Sequence, residues 1–242
     1  MSGVLITGAT SGIGLQLASD YASSGERVLA CGRNHAVLDQ LCSQYPNITP
    51  LMFDLTDFEQ TRDIFNSLPF IPELWIFNAG DCEYMDEGVV DASLMKRVFD
   101  INVIGLTNVI EASQQYYKAG HHIGIVGSIA SEVALPRAEA YGASKAAVSY
   151  LARTLQVDLK PKNIHVSVIY PGFVKTPLTD KNTFEMPMLI STERASEEIR
   201  QGLARKKSHI YFPRKFTSLL RVIGLLPYRW QNAITSKLLA QG

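Results

Sequence analysis

A short apolar run followed at once by three closely spaced glycines is the feature that most constrains the fold. Residues 4–7 have the apolar, β-branched character of a strand, and residues 15–22 have helical periodicity; Gly8, Gly12 and Gly14 lie between them. Strand, glycine loop and helix is the arrangement that a dinucleotide-binding turn requires. Gly8 would form the tight turn, Gly12 would let the backbone approach a phosphate, and Gly14 would let the helix pack close to the strand. The unpaired N–H groups at the start of the helix would then hold a pyrophosphate.

The composition indicates one globular domain. The chain has 242 residues, of which 46% are hydrophobic and 19% are charged, a balance that supports a full α/β core and argues against disorder. The sequence contains no run of eighteen apolar residues, so no membrane-spanning helix is predicted. Because the first strand starts at Val4, we also expect no signal peptide, and hence a cytoplasmic protein.

Cysteine and histidine are too scattered to predict a metal centre. Cys31, Cys42 and Cys82 lack the spacing of metal ligands, and we expect them to be reduced thiols. His121 and His122 precede a predicted strand and are expected in a solvent-facing turn. The other three histidines are far apart in sequence and offer no ligand set; they are His35, His165 and His209.

Strand and helix patterns alternate along the chain. Repeated βα units predict a parallel sheet with helices on both faces, which is an α/β doubly wound fold. The predicted strands are residues 4–7, 27–32, 49–53, 74–78, 123–128, 164–170 and 210–212. The predicted helices are residues 13–24, 35–45, 58–67, 93–119, 138–160 and 192–206. No linker or repeat divides these elements, so a single domain is expected.

Tyr141 and Lys145 are the residue pair that most directly indicates chemistry. Four residues apart, they share one face of a predicted helix. A free tyrosine has a pKa of about 10, and a cation at ~4 Å contributes roughly 1–4 kcal/mol. That interaction is large enough to lower the pKa by up to ~3 units. The spacing therefore predicts a general acid/base for a carbonyl or an alcohol, although taken alone it also fits an ordinary surface pair.

Several motifs together give the chain a family resemblance. In chain order they are Thr7-Gly8-x-x-x-Gly12-x-Gly14, Asn78-Ala79-Gly80, Asn102, Ser128, Tyr141-x-x-x-Lys145, and Pro171-Gly172 with Thr176. Over residues 4 to 177 this set resembles the short-chain dehydrogenase/reductase family in order and spacing. Two positions depart mildly, because Phe77 stands where asparagine is frequent in the family and Gly127 stands where serine is often found. The resemblance implies a Rossmann-type sheet of seven strands in the order 3-2-1-4-5-6-7.

The resemblance also implies a catalytic group of four residues, which are Asn102, Ser128, Tyr141 and Lys145. In the reductive direction Tyr141 would protonate the substrate oxygen, and Ser128 would donate a hydrogen bond to it. Lys145 would keep the tyrosine acidic and hold the nicotinamide ribose. Asn102 would anchor a water that links the lysine to solvent. The alternatives are a helix-capping serine and a helix-interior asparagine, which the presence of Tyr141 and Lys145 disfavours.

A nucleotide site follows from the glycine loop and the resemblance together. Arg33 follows the second strand, where no acidic residue is present for a free ribose 2′-hydroxyl, and its forked donors suit a 2′-phosphate. NADP(H) is therefore preferred over NAD(H); the alternative is that Arg33 only begins a helix in solvent. Asp54 resembles the family residue that holds the adenine amino group, or else is a turn residue. The predicted cofactor-binding residues are Gly8, Ser11, Gly12, Ile13, Gly14, Arg33, Asn34, Asp54, Leu55, Asn78, Ala79, Gly80, Tyr141, Lys145, Pro171, Gly172, Val174 and Thr176.

The substrate is less well defined than the cofactor. Residues 82–88, residues 129–137 and the chain after Val174 are expected to line its pocket. Their side chains are mostly apolar, which favours a non-polar carbonyl or alcohol, although apolar walls are common to most small-molecule sites. Residues 186–188 are either a mobile lid or core filling. The apolar residues expected at this pocket are Val133, Ala134, Leu135, Phe184, Met186, Met188 and Leu189.

The C-terminal region carries an unequal share of the positive charge. The chain has 23 basic and 23 acidic residues, yet nine basic residues and no acidic one lie after Ile199. Large apolar residues separate these charges, which suits an interfacial helix on an anionic bilayer. The alternatives are packing on the acidic body or on a partner subunit, and no nucleic-acid motif accompanies the charge. Residues 1–212 are thus the predicted catalytic domain, and residues 213–242 are a basic, apolar helical extension.

Two functions from different classes follow from these patterns. The first is an NADP(H)-dependent oxidoreductase that interconverts a ketone or aldehyde and an alcohol. The second is a non-catalytic nucleotide sensor or scaffold on the same fold, which would not need the four catalytic residues. A sugar-nucleotide epimerase is disfavoured by the glycine spacing and the short C-terminal region. The resemblance also implies a homodimer or homotetramer formed through the predicted helices 93–119 and 138–160.

Overall fold

The sheet is the centre of the molecule in the computed structural model, which describes residues 3–181 and 186–239. Within these residues, seven parallel strands lie in the order β3-β2-β1-β4-β5-β6-β7. The strands are β1 Gly3–Thr7, β2 Arg27–Gly32, β3 Ile48–Met52, β4 Leu74–Phe77, β5 His122–Val126, β6 His165–Pro171 and β7 His209–Phe212. The chain winds outward from β1 to β3 and then continues on the other side from β4 to β7. The α/β doubly wound fold and its strand order are therefore confirmed.

Helices cover both faces of the sheet, and several begin at a residue with a short polar side chain. The helices are α1 Gly12–Ser23, α2 His35–Gln44, α3 Phe58–Asn66, α4 Ala92–Phe99, α5 Leu106–Gln114, α6 Glu139–Leu159, α7 Thr192–Ala204, α8 Arg214–Gly224 and α9 Tyr228–Leu239. Asn34, Asp57, Asp91 and Ser191 each accept a backbone N–H from the first turn of α2, α3, α4 and α7, respectively. Such capping residues fix where the helices start.

The strands bury side chains on both of their faces. Along β1, Val4 and Ile6 belong to the apolar cluster that includes residues of α1 and α7, while Leu5 belongs to the cluster on the other face with Trp75. Successive side chains of a strand point to opposite faces, so one short strand contributes to two separate cores. This explains why the strands read as continuous apolar runs rather than as alternating patterns.

The prediction of one helix over residues 93–119 is wrong in two respects. The segment divides into α4, a π-helical segment Asp100–Gly105, and α5, which ends at Gln114. Gly105 packs so closely on another part of the chain that a Cβ atom there would lie 1.7 Å from Leu55 Cδ1. The π-helical segment therefore holds the start of α5 against the loop that follows β3.

The prediction that His121 and His122 face solvent is also wrong. Each is only 8% exposed, and His122 is the first residue of β5. Trp75 Nε1 donates a hydrogen bond to His121 Nδ1 at 3.4 Å, and His122 Nε2 lies 2.7 Å from Ser167 Oγ. Burial, reinforced by the nearby His165 and Lys206, lowers the pKa of His122 to about 4. The imidazole is therefore neutral at physiological pH.

The C-terminal region forms two helices, of which α8 packs on the sheet domain. Phe216, Leu220 and Ile223 on its inner face join Ile129 and Val133 in one apolar cluster. The turn between α8 and α9 is held by Gln231, whose Nε2 donates to the carbonyls of Gly224 and Leu226. Among the described helices, none is both long and apolar enough to span a bilayer.

Candidate active site

A cavity of about 460 Å³ lies at the carboxyl ends of the central strands. It lies where the strand order reverses between β1 and β4, which is the usual ligand position in an open α/β sheet. Its lining comes from the glycine loop, the ends of β2, β3, β4 and β5, the start of α6, and the chain after β6. The sheet topology therefore collects residues that are far apart in sequence into one cleft.

The glycine loop has a geometry that larger residues would disrupt. Gly8 and Gly12 have positive φ angles of 67° and 52°, a region that glycine adopts at low cost. A Cβ atom on Gly14 would lie 2.2 Å from the carbonyl oxygen of Gly8. Ser11 lies at the N-cap of α1, and in the described structure its side chain makes no capping hydrogen bond. The first-turn N–H groups are thus left uncapped by Ser11, which fits an anion such as a pyrophosphate.

The segment after β4 is fixed to the end of β1. Asn78 Nδ2 donates to the carbonyl oxygens of Thr7 at 3.1 Å and Gly8 at 3.4 Å. In return, Thr7 Oγ1 accepts the backbone N–H groups of Asn78 and Ala79, both at 3.0 Å. These four contacts make the two strand ends one rigid floor for the cleft. Thr7 was quoted as part of a motif, but its role as the acceptor was not predicted.

Tyr141 and Lys145 both line the cavity and lie one turn apart on α6. Lys145 Nζ is 5.9 Å from the centre of the Tyr141 ring and donates to the carbonyl of Val126 at 3.1 Å. Ser128 lies at the end of β5, accepts the N–H of Ala130 at 3.1 Å, and hydrogen bonds with Tyr141. The structure therefore brings three of the four predicted catalytic side chains together around one point.

The pKa values at this point differ from the expectation that Lys145 keeps Tyr141 acidic. Burial raises the pKa of Tyr141, the nearby Cys82 raises it further, and only the hydrogen bond with Ser128 acts to lower it. Burial also lowers the pKa of Lys145 to about 8. The predicted direction for the tyrosine is therefore wrong for this geometry, because the cost of removing the phenolate from water outweighs the hydrogen bond with Ser128, which acts to lower the pKa.

Asn102 lies beside this group, in the π-helical segment, and is almost fully buried. Its Oδ1 accepts the N–H of Asp81 at 2.7 Å, and its Nδ2 donates to the Asp81 carbonyl at 2.8 Å and to Ser144 Oγ at 2.9 Å. A Cβ atom on Gly80 would lie 3.0 Å from Asn102 Oδ1 and 3.2 Å from Lys145 Nζ. Asn102 therefore fixes the chain that follows Gly80 and lies next to the lysine.

The predicted 2′-phosphate and adenine residues form a pair with each other. Arg33 Nη1 lies 3.1 Å from Asp54 Oδ2 at the edge of the cavity. Asp54 Oδ1 also accepts the N–H of Thr56 at 2.9 Å and its hydroxyl at 2.8 Å. Burial acts to raise the pKa of Asp54, but the hydrogen bonds from Thr56 and Arg33 outweigh it and hold the pKa below its usual value. The carboxylate is therefore ionised beside the guanidinium.

The structure places most of the predicted cofactor residues around the cavity. Gly14 and Asn34 do not line it: Gly14 packs under the loop, and Asn34 caps α2 by accepting the N–H of Val37. The lining predicted from sequence comprises Gly8, Ser11, Gly12, Ile13, Arg33, Asp54, Leu55, Asn78, Ala79, Gly80, Tyr141, Lys145, Pro171, Gly172, Val174 and Thr176. Lining residues that were not predicted include Thr10, Gly32, Phe53, Asp81, Ile101 and Leu178. Most of these are sequence neighbours of a motif, which was the signal available for finding them.

The segments expected to line the substrate pocket contact each other. Arg137 Nε donates to Asp86 Oδ1 at 2.6 Å, and the N–H of Met85 donates to the Arg137 carbonyl at 3.0 Å. Val133 is buried against α8. Met188 is 51% exposed, so core filling is wrong for that residue. Phe184 lies outside the described residues.

The side chains of the cleft define which groups it can bind. In residues 3–181 and 186–239, no three His, Cys, Asp or Glu side chains are grouped to hold a metal ion. The arrangement offers instead a phosphate-sized cradle, a buried acid/base and a hydrogen-bond donor. A doubly wound sheet with this site defines a nucleotide-dependent oxidoreductase.

Comparison with known proteins gives the family. The family model described as short chain dehydrogenase matches residues 2–186, and the chain belongs to this family. An uncharacterized oxidoreductase of Myxococcus xanthus is 33% identical over 233 residues, which cover 92% of each chain. The recognition made from the sequence motifs is therefore confirmed.

Two further proteins extend the comparison. The NADPH-dependent 1-acyldihydroxyacetone phosphate reductase of Saccharomyces cerevisiae is 33% identical over 186 residues, covering 73% of this chain and 62% of the yeast protein. A short chain dehydrogenase/reductase from Burkholderia phymatum, solved in complex with NAD, superimposes with a TM-score of 0.82 at 20% identity. That superposition covers 91% of this chain and 92% of the other, and at this identity it supports the fold alone.

Proposed function

We propose that the protein is an NADP(H)-dependent oxidoreductase that interconverts a ketone or aldehyde and an alcohol, with Tyr141 as the general acid/base. The observation that carries this proposal is the contact between Tyr141 and Ser128 beside Lys145, at one end of a cleft whose other end is a glycine loop. A non-catalytic nucleotide sensor needs the loop but not this contact. Family membership supports the same reaction class.

The raised pKa of Tyr141 fits a proton donor. In the reductive direction the tyrosine starts protonated and gives its proton to the substrate oxygen, while Ser128 donates a hydrogen bond to that oxygen. Lys145, whose pKa is about 8, carries a proton that can replace the one lost by the tyrosine. Asn102 holds the neighbouring backbone in place. When bound, the nicotinamide supplies or accepts the hydride.

Arg33 supports NADP(H) over NAD(H). Its guanidinium is at the edge of the cleft, and a 2′-phosphate would share or replace its contact with Asp54. The yeast relative is named as NADPH-dependent, whereas the Burkholderia phymatum structure holds NAD. Our preference for NADP(H) therefore rests on the cation at residue 33.

The substrate we propose is an apolar molecule with one carbonyl or hydroxyl group. We expect its pocket to be formed by residues 82–88, residues 129–137 and the chain after Val174. The yeast relative is named for 1-acyldihydroxyacetone phosphate, so its name supports a ketone with an acyl chain but also includes a charged phosphate. We further propose a homodimer or homotetramer, because α6 and the π-helical segment expose Tyr150, Val157 and Ile104.

The test is NADPH oxidation across a panel of apolar ketones and aldehydes, comparing wild type, Tyr141→Phe and Tyr150→Phe. Tyr150 is 71% exposed on the same helix, so Tyr150→Phe is a matched control. Tyr141→Phe should lower kcat/KM by about 10²- to 10⁴-fold, a far larger effect than its effect on NADPH binding, which is measured by fluorescence titration. Tight NADPH binding with no turnover of any panel member would favour the sensor instead.

The same assay tests the nucleotide preference. Arg33→Ala should weaken NADPH binding by roughly ten- to a hundredfold, the value of a hydrogen-bonded charge pair, and should leave NADH binding nearly unchanged. Arg62→Ala, which removes an exposed arginine from α3, should alter neither. Equal losses for the two nucleotides would refute a role for Arg33 at the 2′-phosphate.

A further inference from the structure

The outer face of α8 and its turn into α9 form an exposed apolar surface. Val222 and Leu225 are 61% and 86% exposed, although the opposite side of the same helix is buried against the domain. We call this surface the α8 outer face; its apolar members are Leu219, Val222, Leu225, Leu226, Tyr228 and Trp230. Scattered apolar side chains are normal on a protein surface, but six exposed ones within residues 219–230 mark a surface that contacts something else.

Positive charge surrounds this apolar surface. Five basic residues and no acidic one lie in residues 213–242. Within the described part of the chain, none of these five has an acidic ion-pair partner; they are Arg214, Lys215, Arg221, Arg229 and Lys237. Two of them lie over aromatic rings: Arg221 is 4.3 Å from the centre of the Tyr211 ring, and Arg229 is 5.1 Å from the centre of the Trp230 ring. The surface is thus both apolar and cationic, with the cations free to meet an external anion.

The placement of two of these cations does not stabilise the helix. Arg214 and Lys215 lie in the first turn of α8, where the helix dipole disfavours positive charge, and no acidic residue accompanies them there. Helix stability therefore does not explain them. An anionic surface beside the start of α8 would explain these two positive charges.

We propose that the α8 outer face docks on the surface of an anionic lipid bilayer. Apolar side chains flanked by lysine and arginine are suited to the boundary between headgroups and acyl chains. A second copy of the chain is a poor occupant, because a twofold contact would bring the same positive charges against each other. Nucleic acid would leave the apolar side chains without a partner. The helices α8 and α9 have 11 and 12 residues, so each lies in the plane of the interface.

Docking through this face has a consequence for the proposed active site. The inner face of α8 packs on Ile129 and Val133, which follow Ser128 in the chain. A Cβ atom on Gly172 would lie 2.8 Å from Phe216 Cδ1, so α8 also contacts the end of β6. If the proposed function is correct, a membrane-bound α8 brings the substrate walls next to the bilayer, and the substrate class becomes a carbonyl or alcohol dissolved in lipid.

The experiment is co-sedimentation of the full chain with vesicles at low ionic strength. Wild type should bind vesicles of equimolar phosphatidylcholine and phosphatidylglycerol, and should bind pure phosphatidylcholine much less. Val222→Asn/Leu225→Asn should lower the partition coefficient by about tenfold or more, because two exposed apolar side chains no longer enter the interface. Lys215→Gln/Arg229→Gln should lower it by about 25-fold, or fivefold per charge.

Two control variants test whether the loss of vesicle binding is specific to the α8 outer face or follows from removing any exposed apolar or charged residues. Val89→Asn/Val90→Asn changes two apolar residues that are 69% and 70% exposed but lie far from α8 in sequence, and Lys118→Gln/Lys160→Gln removes two exposed charges elsewhere. Both should bind vesicles like wild type. The thermal unfolding midpoint and NADPH affinity should be the same for all four variants, so a failure of the redox proposal would not affect the vesicle result.

Three outcomes would overturn the docking proposal. The first is no sedimentation of wild type with anionic vesicles, and the second is equal binding to neutral and anionic vesicles. The third is a change of molecular mass in light scattering when Val222 and Leu225 are replaced, without any change in vesicle binding. That third result would assign the face to a second copy of the chain.

Discussion

At the residue scale, two polar side chains of the site, Asn102 and Lys145, approach each other at Gly80. Asn102 Oδ1 and Lys145 Nζ both lie within 3.2 Å of the place where a Cβ atom on Gly80 would be. The glycine therefore lets a buried ammonium and a buried amide approach the strand end together. Burial of this kind disfavours the charged form of the lysine, which gives the folded protein a distinct dependence on pH.

Lys145 should make the protein more stable as pH rises from about 8 to about 10. The pKa of Lys145 is about 8 in the folded protein, and its ordinary value, which applies to the unfolded chain, is 10.5. Between these two values the unfolded chain therefore binds more protons than the folded protein. The free energy of unfolding therefore increases with pH, by an amount on the order of 3 kcal/mol for this group. Urea unfolding of wild type and Lys145→Met across that range checks this, because the variant should lack the increase.

Lys118→Met is the matched control for this titration. Lys118 is exposed, so its removal should leave the wild-type slope in place. A Lys145→Met variant that follows wild type at every pH would show that the folded protein does not depress the pKa of this lysine.

At the element scale, the π-helical segment sets where α5 lies. Asn102 projects from this segment to the Asp81 backbone, and Gly105 ends it against Leu55. Single-turn π segments inside helices are often found at functional sites. Here the segment connects a proposed catalytic asparagine with a residue of the cavity wall.

Gly105→Ala should destabilise the protein by about 1–3 kcal/mol, because the added methyl group overpacks the contact with Leu55. Leu55→Ala introduced into the Gly105→Ala background should recover part of this loss by making room. Urea unfolding of the two single variants and the double variant gives the coupling energy. Strict additivity of the two substitutions would mean that the residues do not touch.

Much of the element pattern could be predicted from sequence, and the failures have physical causes. Strand and helix ends agree with prediction to within one or two residues outside residues 93–119, because apolar runs and periodicity are local signals. The π-helical segment was missed because its side-chain pattern resembles that of an α-helix. His122 was misjudged because its burial depends on Ser167 in a neighbouring strand, which the sequence around His122 does not reveal.

In the site too, contiguous motifs were predicted correctly, whereas features that depend on residues far apart in sequence were not. The glycine loop and the Tyr141–Lys145 spacing are contiguous motifs, and both were found. The pair between Arg33 and Asp54 joins residues 21 positions apart, so each was predicted separately to face the nucleotide. The raised pKa of Tyr141 depends on burial by the whole fold, and the one-turn spacing from Lys145 alone gave the opposite direction.

At the scale of the whole molecule, positive charge is concentrated at the C-terminal end of a chain that is neutral overall. The predicted division into residues 1–212 and 213–242 depends on whether α8 packs as part of the sheet domain. Its inner face shares an apolar cluster with residues after β5, whereas its outer face is exposed. Leu220 lies on the buried inner face, and its neighbour Leu219 lies on the exposed outer face.

Leu220→Ala should cost about 2–5 kcal/mol of unfolding free energy, as expected for a leucine in a packed core. Leu220 is 6% exposed and Leu219 is 57% exposed, so Leu219→Ala is a control with the same chemistry and should change stability by less than about 0.5 kcal/mol. Urea unfolding followed by far-UV circular dichroism measures both. Equal, small effects would mean that α8 is an appendage instead of part of the cooperative domain.

The contact between residues 82–88 and residues 129–137 has a consequence for engineering. Both segments lie outside the strands and are joined by Arg137 and Asp86, whereas the proposed proton donor Tyr141 and the neighbouring Lys145 belong to the long helix α6. Under the proposed function, we therefore expect that exchanging the two loops together changes substrate selectivity and leaves Tyr141 and Lys145 in place. Exchanging only one loop would separate the arginine from its carboxylate partner.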